Sequence, residues 1–223
     1  MATRAEPRAS GALVAVLVTA ALLTADAQQP ARPKSREFPP EELGRLAPPD
    51  RDEWQQPDRI MDALGIYDGN RVADVGAGGG WFTIRLARRV GPNGRVYAED
   101  VQELMVESIK NAAEREGLSN VETILGSDRD PRLPDNLDAV LMVGIYVYLE
   151  DPVAILRNIA ASLAPTGRLG IVEYKKDGAG GPGPELDERI DPEEVIRDAA
   201  AAGLELRSHE TFLRYQYLLV FGK

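Results

Sequence analysis

The sequence predicts an α/β fold built on a mostly parallel sheet with helices on both faces, and three observations carry that expectation. Helix-like and strand-like stretches alternate from about residue 57 to residue 223. A glycine cluster, Gly76-Ala-Gly78-Gly-Gly80, stands between the first apolar strand and the helix that follows it. Leu137 to Val143 (LDAVLMV) is a near-continuous apolar run, the pattern of a strand buried on both faces.

Residues 1 to 27 differ in kind from the rest. Arg4 and Arg8 precede an uncharged apolar run, Gly11 to Leu23, and Ala25-Asp26-Ala27 has the small-x-small form cut by signal peptidase. The run is shorter than the ~18–20 residues that span a bilayer comfortably. A signal peptide is therefore expected, giving an exported protein, periplasmic or secreted; an uncleaved membrane anchor is the alternative. Residues 28 to 50 are rich in proline and charge and read as a linker with at most one helical turn. Residues 51 to 223 form the expected domain.

Within it, Pro57 to Leu64 is a short amphipathic helix stopped by Gly65. Arg71 to Val75 is the first strand, and the glycine cluster opens a helix running to about Val90. Arg95 to Glu99 is the second strand, Gln102 to Glu116 a helix ended by Gly117, and Val121 to Leu125 the third strand. The apolar run at Leu137 is the fourth. Asp151-Pro152 and Asp191-Pro192 each place a capping carboxylate before a proline at the first helical position. The first of these helices ends before a turn at Pro165-Thr-Gly167, and Arg168 to Glu173 is the fifth strand. Leu204 to Phe212 and Tyr215 to Lys223 read as a tightly joined antiparallel hairpin.

Composition narrows the function. A 43% hydrophobic share over 223 residues is that of a chain with a real core. Thirty-six acids against 26 bases give a net charge of -10, the wrong sign for a nucleic-acid or anionic-membrane partner. Without cysteine there is no disulfide, thiolate metal site or cysteine nucleophile, and the single His209, in the terminal hairpin, argues against a histidine metal centre. No metal is expected.

The glycine cluster belongs to Asp74-Val-Gly76-Ala-Gly78-Gly-Gly80-Trp81. A dinucleotide fingerprint needs glycine at 81, so Trp81 disfavours a nicotinamide dehydrogenase. Asp100 closes the second strand, where a carboxylate can accept both hydroxyl hydrogens of a ribose. Its neighbour Glu99 is expected to point the opposite way by strand alternation. Asp128, after the third strand, is placed to accept from an adenine amino group. Glycine loop and three strand-end acids make one constellation.

That constellation resembles the class I S-adenosylmethionine-dependent methyltransferases. The resemblance runs from about Pro57 to Lys223 and includes Val72 to Gly80, Val96 to Asp100, Gly126-Ser-Asp128, Leu137 to Val140 and Leu163 to Leu169. It implies a Rossmann-like, seven-stranded sheet closed by the antiparallel hairpin, and S-adenosyl-L-methionine as cofactor. It further implies that Asp74, Gly76, Gly78 and Gly80 line the methionine and ribose part, that Asp100 holds the ribose hydroxyls, that Val101 packs on adenine and that Asp128 reaches its amine. More narrowly, the chain looks like exported, methyltransferase-like bacterial proteins whose closing run is similar to Phe212 to Phe221. Those relatives are expected to carry one or two histidines within the stretch occupied here by Ile145 to Leu149. Val147 and Tyr148 stand there instead, which removes support for a histidine-assisted step.

The expected activity is methyl transfer to a small-molecule or protein acceptor; the alternative is an exported module that binds without turnover. No general base is evident. Tyr146, Tyr148 and Glu173 are the substrate-side candidates, each with a packing reading beside the functional one. Trp54 and the preceding run Asp50-Arg-Asp-Glu53 read either as a lid over the cofactor or as packing.

Overall fold

Seven strands form one sheet in the order β3-β2-β1-β4-β5-β7-β6. They are β1 (Arg71–Val75), β2 (Arg95–Asp100), β3 (Val121–Leu125), β4 (Leu137–Val143), β5 (Leu163–Tyr174), β6 (Glu205–Glu210) and β7 (Gln216–Gly222). The computed structural model describes residues 1–2, 38–39, 43–44, 46–177 and 181–223, and the sheet belongs to the unit from residue 32 onward. The signal-peptide reading and most of the linker lie outside the described residues.

β1 to β5 pair in parallel, while β7 runs antiparallel to both β5 and β6. This is the Rossmann-like arrangement the sequence predicts. From β1 the chain moves outward through β2 to β3, then returns across β1 to build β4 and β5. Adjacent β1 and β4 therefore mark the point where strand order reverses, and a crevice opens there at the carboxyl ends of the strands.

Period-two alternation sorts the core into two layers. Val72, Leu141 and Val172 face α2 (Pro57–Ala63) and α3 (Trp81–Val90) through Ile60, Phe82 and Leu86. Ala73, Val140 and Ile171 face α5 (Pro152–Ser162) and α6 (Pro192–Ala201) through Ile155, Ile159 and Val195. α4 (Glu103–Arg115) covers β2 and β3 with buried Met105 and Ile109. Side chains filling both faces explain why β4 reads as continuously apolar. β6, with the polar sequence ELRSHE, forms an edge, where His209 is exposed with its ring against Tyr217.

Three elements differ from the sequence reading. α1 (Arg51–Gln55) precedes α2, with Gln56 in the left-handed region between them (φ 48°). Five residues carry too little periodicity to announce a helix. β5 begins at Leu163, because Leu163 already pairs with Leu137 and the register shifts before Arg168 pairs with Ala139. The Pro165–Gly167 turn is thus a bulge within the strand. Finally, residues 211–215 separate β6 from β7, so the hairpin is not tight.

Candidate functional site

The crevice between β1 and β4 opens into a cavity of about 840 Å³, lined at its floor by Asp74, Gly76, Gly78, Glu99 and Asp100. Gly76 has φ +67°, where an L side chain is strained, and a Cβ there would lie 2.7 Å from Ile145. A Cβ on Gly78 (φ +54°) would come 3.1 Å from Leu46 of the segment that crosses the loop. The glycines thus let the loop pass between two apolar side chains and present backbone to the cavity. Ala77 and Gly79 also face it. Gly80 does not: it is buried behind the wall, turning the chain into α3 against Ile109.

The end of β2 binds the loop. Gly76 N–H donates to Glu99 Oε2 (3.2 Å), Ala77 N–H to the Glu99 carbonyl (2.9 Å) and Gly78 N–H to Asp100 Oδ2 (2.9 Å). Asp100 Oδ1 also accepts from the Gln102 amide (3.0 Å). Both Asp100 oxygens accept backbone N–H groups, and the carboxylate keeps lone-pair capacity for a hydroxyl. Asp74 lies beneath the loop, accepting from Thr83 Oγ1 at 2.6 Å.

Burial sets the electrostatics. Desolvation pushes Asp74 up to about 6 against the Thr83 hydrogen bond, and Glu99 up to about 8 with Asp100, Asp74 and Asp130 adding repulsion. Asp100 is also raised by desolvation, with its backbone hydrogen bonds pulling the other way. A cation entering the cavity would relieve this accumulation of carboxyl groups.

At the outer end of the cavity lie Val101, 43% exposed, and Asp128, an exposed side chain within the turn closed by the Ser127–Asp130 bridge. Phe38 joins them as a lining residue. Its backbone is held by the Gln102 amide, which, oriented to satisfy both groups, donates to Phe38 O and accepts from Phe38 N, each at 3.1 Å.

The other end is aromatic. Trp54 packs between Tyr174 (6.5 Å between centroids) and Tyr215 (6.4 Å), while Tyr148, 39% exposed, lines the wall. Trp54 both packs and lines the cavity. Arg51 is the only basic side chain among the described lining residues. Its guanidinium lies 4.1 Å from the Trp81 ring centroid and donates to Leu46 O. Burial lowers its pKa to about 10, so it remains a cation at neutral pH. Arg85 stacks on the same ring and binds Asp52 through both carboxylate oxygens (2.9 and 2.6 Å), tying α1 to α3. Trp81 thus stacks with Arg51 and Arg85 where a dinucleotide loop would have glycine.

Two substrate-side candidates do not reach the cavity. The turn at 146–148 buries Tyr146 completely and sends its hydroxyl to Asp198 of α6 (2.9 Å). Glu173 lies beneath it, buried, accepting from Tyr146 N at 2.7 Å, and desolvation pushes it to about 7. Both hold the β4–α5 turn in place. Phe38 is a lining residue that the sequence did not single out. Glu99, expected to point away from Asp100, lines the cavity with it, and Arg51 of the Asp50–Glu53 run does so beside Trp54.

A family model described as a methyltransferase domain matches residues 72–167. The chain is 33% identical over 114 residues to nocamycin O-methyltransferase of Saccharothrix syringae, covering 51% of this chain and 41% of that protein. It is 30% identical over 118 residues to a ubiquinone/menaquinone biosynthesis C-methyltransferase of Pasteurella multocida, covering 52% and 44%. The matches thus span less than half the length of these curated relatives. A solved SAM dependent methyltransferase from Aquifex aeolicus superposes with a TM-score of 0.78 at 30% identity, over 83% of this chain and 98% of that one.

Proposed function

This chain belongs to the class I S-adenosylmethionine-dependent methyltransferase family, with S-adenosylmethionine as its cofactor, and on that premise we propose that it transfers the methyl group to a small-molecule acceptor. The observation that carries the proposal is a single cavity at the β1–β4 reversal that joins the carboxyl-lined glycine loop to an aromatic chamber. The fit is chemical as well as spatial. Two Asp100 oxygens with spare lone pairs suit vicinal hydroxyls, Val101 offers an apolar surface to a base, and Arg51 suits an amino-acid carboxylate.

When bound, the cofactor supplies an electrophilic methyl group on a sulfonium. Asp100 would fix the ribose, Asp128 would accept from the adenine amine, and Arg51 would orient the methionine end. Trp54, Tyr148 and Tyr174 would wall the acceptor and exclude water. Orientation of this kind contributes roughly 7–11 kcal/mol in favourable cases. No base is required for an acceptor that arrives as a good nucleophile.

The small-molecule reading draws support from the relatives, whose names give nocamycin O-methylation and a C-methylation in ubiquinone/menaquinone biosynthesis. We further propose export, supported by Arg4, Arg8, the apolar run and the Ala25–Ala27 site; a secreted form beginning at Gln28 is its expected signature. Incubation with methyl-labelled cofactor and a panel of phenols, hydroquinones, amines and thiols tests turnover. Label in one acceptor class supports the enzyme; cofactor binding without label in any would favour the binding module.

A further inference from the structure

Three consecutive amides of the glycine loop, those of residues 76, 77 and 78, all donate to Glu99 or Asp100. The loop is therefore shaped from one side by the last two residues of β2. The two carboxyl groups divide this work. Asp100 has lone pairs left over for a ligand. Glu99 grips the loop twice, with its carbonyl on Ala77 and its side chain on Gly76, the residue whose left-handed turn starts the loop.

We propose that Glu99 is a positioning residue for the cofactor, which sets its affinity by holding the Gly76–Ala77 turn while Asp100 makes the contact. The inference rests on S-adenosylmethionine being the ligand of this cavity. Two neighbours frame the Glu99–Gly76 contact. Ile145 closes the opposite side of Gly76. Gly126, at the start of the β3 loop, leaves the space that the carboxyl group fills: a Cβ there would lie 1.7 Å from Glu99 Oε1 and 2.7 Å from Cδ. Gly126 donates its own N–H to the Asp100 carbonyl (3.1 Å). A methyl at residue 126 therefore displaces Glu99 from Gly76 without removing any hydrogen-bonding group of its own.

The carboxyl groups that bear on Glu99 are those of Asp100, Asp74 and Asp130, and burial with their repulsion favours its protonated form. A protonated carboxyl still accepts from Gly76 through its carbonyl oxygen, as a glutamine amide would. The hydrogen bond therefore requires an oxygen acceptor rather than a charge.

A double-mutant cycle in the full chain tests this, read by calorimetric titration with S-adenosylhomocysteine. Glu99→Gln is expected to stay within about threefold of the unmodified chain. Glu99→Ala and Gly126→Ala are each expected to bind about tenfold more weakly, the scale of one lost hydrogen bond. The pair together should bind no more weakly than Glu99→Ala alone, because both act through one contact. Melting of each variant without ligand separates loss of fold from loss of grip, and Gly126→Ala carries the test if Glu99→Ala does not fold. Unchanged affinity in Gly126→Ala, failure of Glu99→Gln to preserve binding, or losses that multiply would overturn the assignment. An unmodified chain that does not bind would instead sink the cofactor reading itself.

Discussion

Replacing Asp100 with alanine is expected to weaken S-adenosylhomocysteine binding on the order of 100-fold, two charge-assisted hydrogen bonds to ribose being removed together. The loss has a second source, since Gly78 N–H and Gln102 N–H both donate to that carboxylate. Asp100→Asn separates the two. Its amide keeps one oxygen acceptor, so the expected affinity lies between those of the aspartate and alanine forms. Asp100→Ala leaves Gly78 N–H and Gln102 N–H without their acceptor while relieving the desolvation of a buried carboxyl, so it should lower the melting temperature of the unliganded chain modestly, and Asp100→Asn less. Calorimetry on the three forms, beside melting curves, checks both statements.

A comparably large effect is expected in stability against pH. Glu99, Glu173 and Asp74 are raised in the folded chain to about 8, 7 and 6, from ordinary values of 4.5, 4.5 and 3.8. A carboxyl whose pKa is raised by folding binds its proton more tightly in the folded state than in the unfolded one. Between the unfolded and folded values the native chain holds more protons, so stability falls as pH rises through that window. The unliganded chain should therefore melt highest at the acidic end, near pH 5, and lower steadily towards pH 8. Glu99→Gln should flatten the slope across its whole window, from 4.5 to about 8, and Glu173→Gln from 4.5 to about 7, so that above pH 7 only the former has an effect. A melting temperature that climbs from pH 5 to pH 8 would contradict the burial of these three groups.

Much of this fold was legible because its signals are local. The period-two runs, Asp-Pro starts and glycine stops mark strands and helices within a few residues, and the cluster at Gly76–Gly80 marks the reversal point. Asp74, Gly76, Gly78, Asp100, Val101 and Asp128 converge on one cavity because each lies at or just beyond a strand's carboxyl end, and all those ends meet at the same edge of a parallel sheet. The same logic misplaces Glu99. Alternation separates the faces of a strand in its interior, but at its last two residues the cavity wraps around the sheet edge, so Glu99 and Asp100 both line it. Tyr146 fails differently. Its position after β4 is right for a substrate-side residue, yet the turn at 146–148 directs the hydroxyl to Asp198, fifty-two residues away in sequence. No local pattern records that pairing. Arg51 and Trp54 sit on a helix too short to show a period, and their place in the cavity depends on Trp81, Tyr174 and Tyr215 from three other parts of the chain.

The assignment of cofactor to cavity is tested most directly by titrating the purified, unmodified chain with S-adenosylmethionine and S-adenosylhomocysteine by calorimetry, with Asp100→Ala alongside. Saturable binding of both at one site, in the micromolar range and largely lost in Asp100→Ala, is the expected result. A folded chain that takes up neither ligand at millimolar concentration, or an Asp100→Ala form that binds as well as the original, would contradict it.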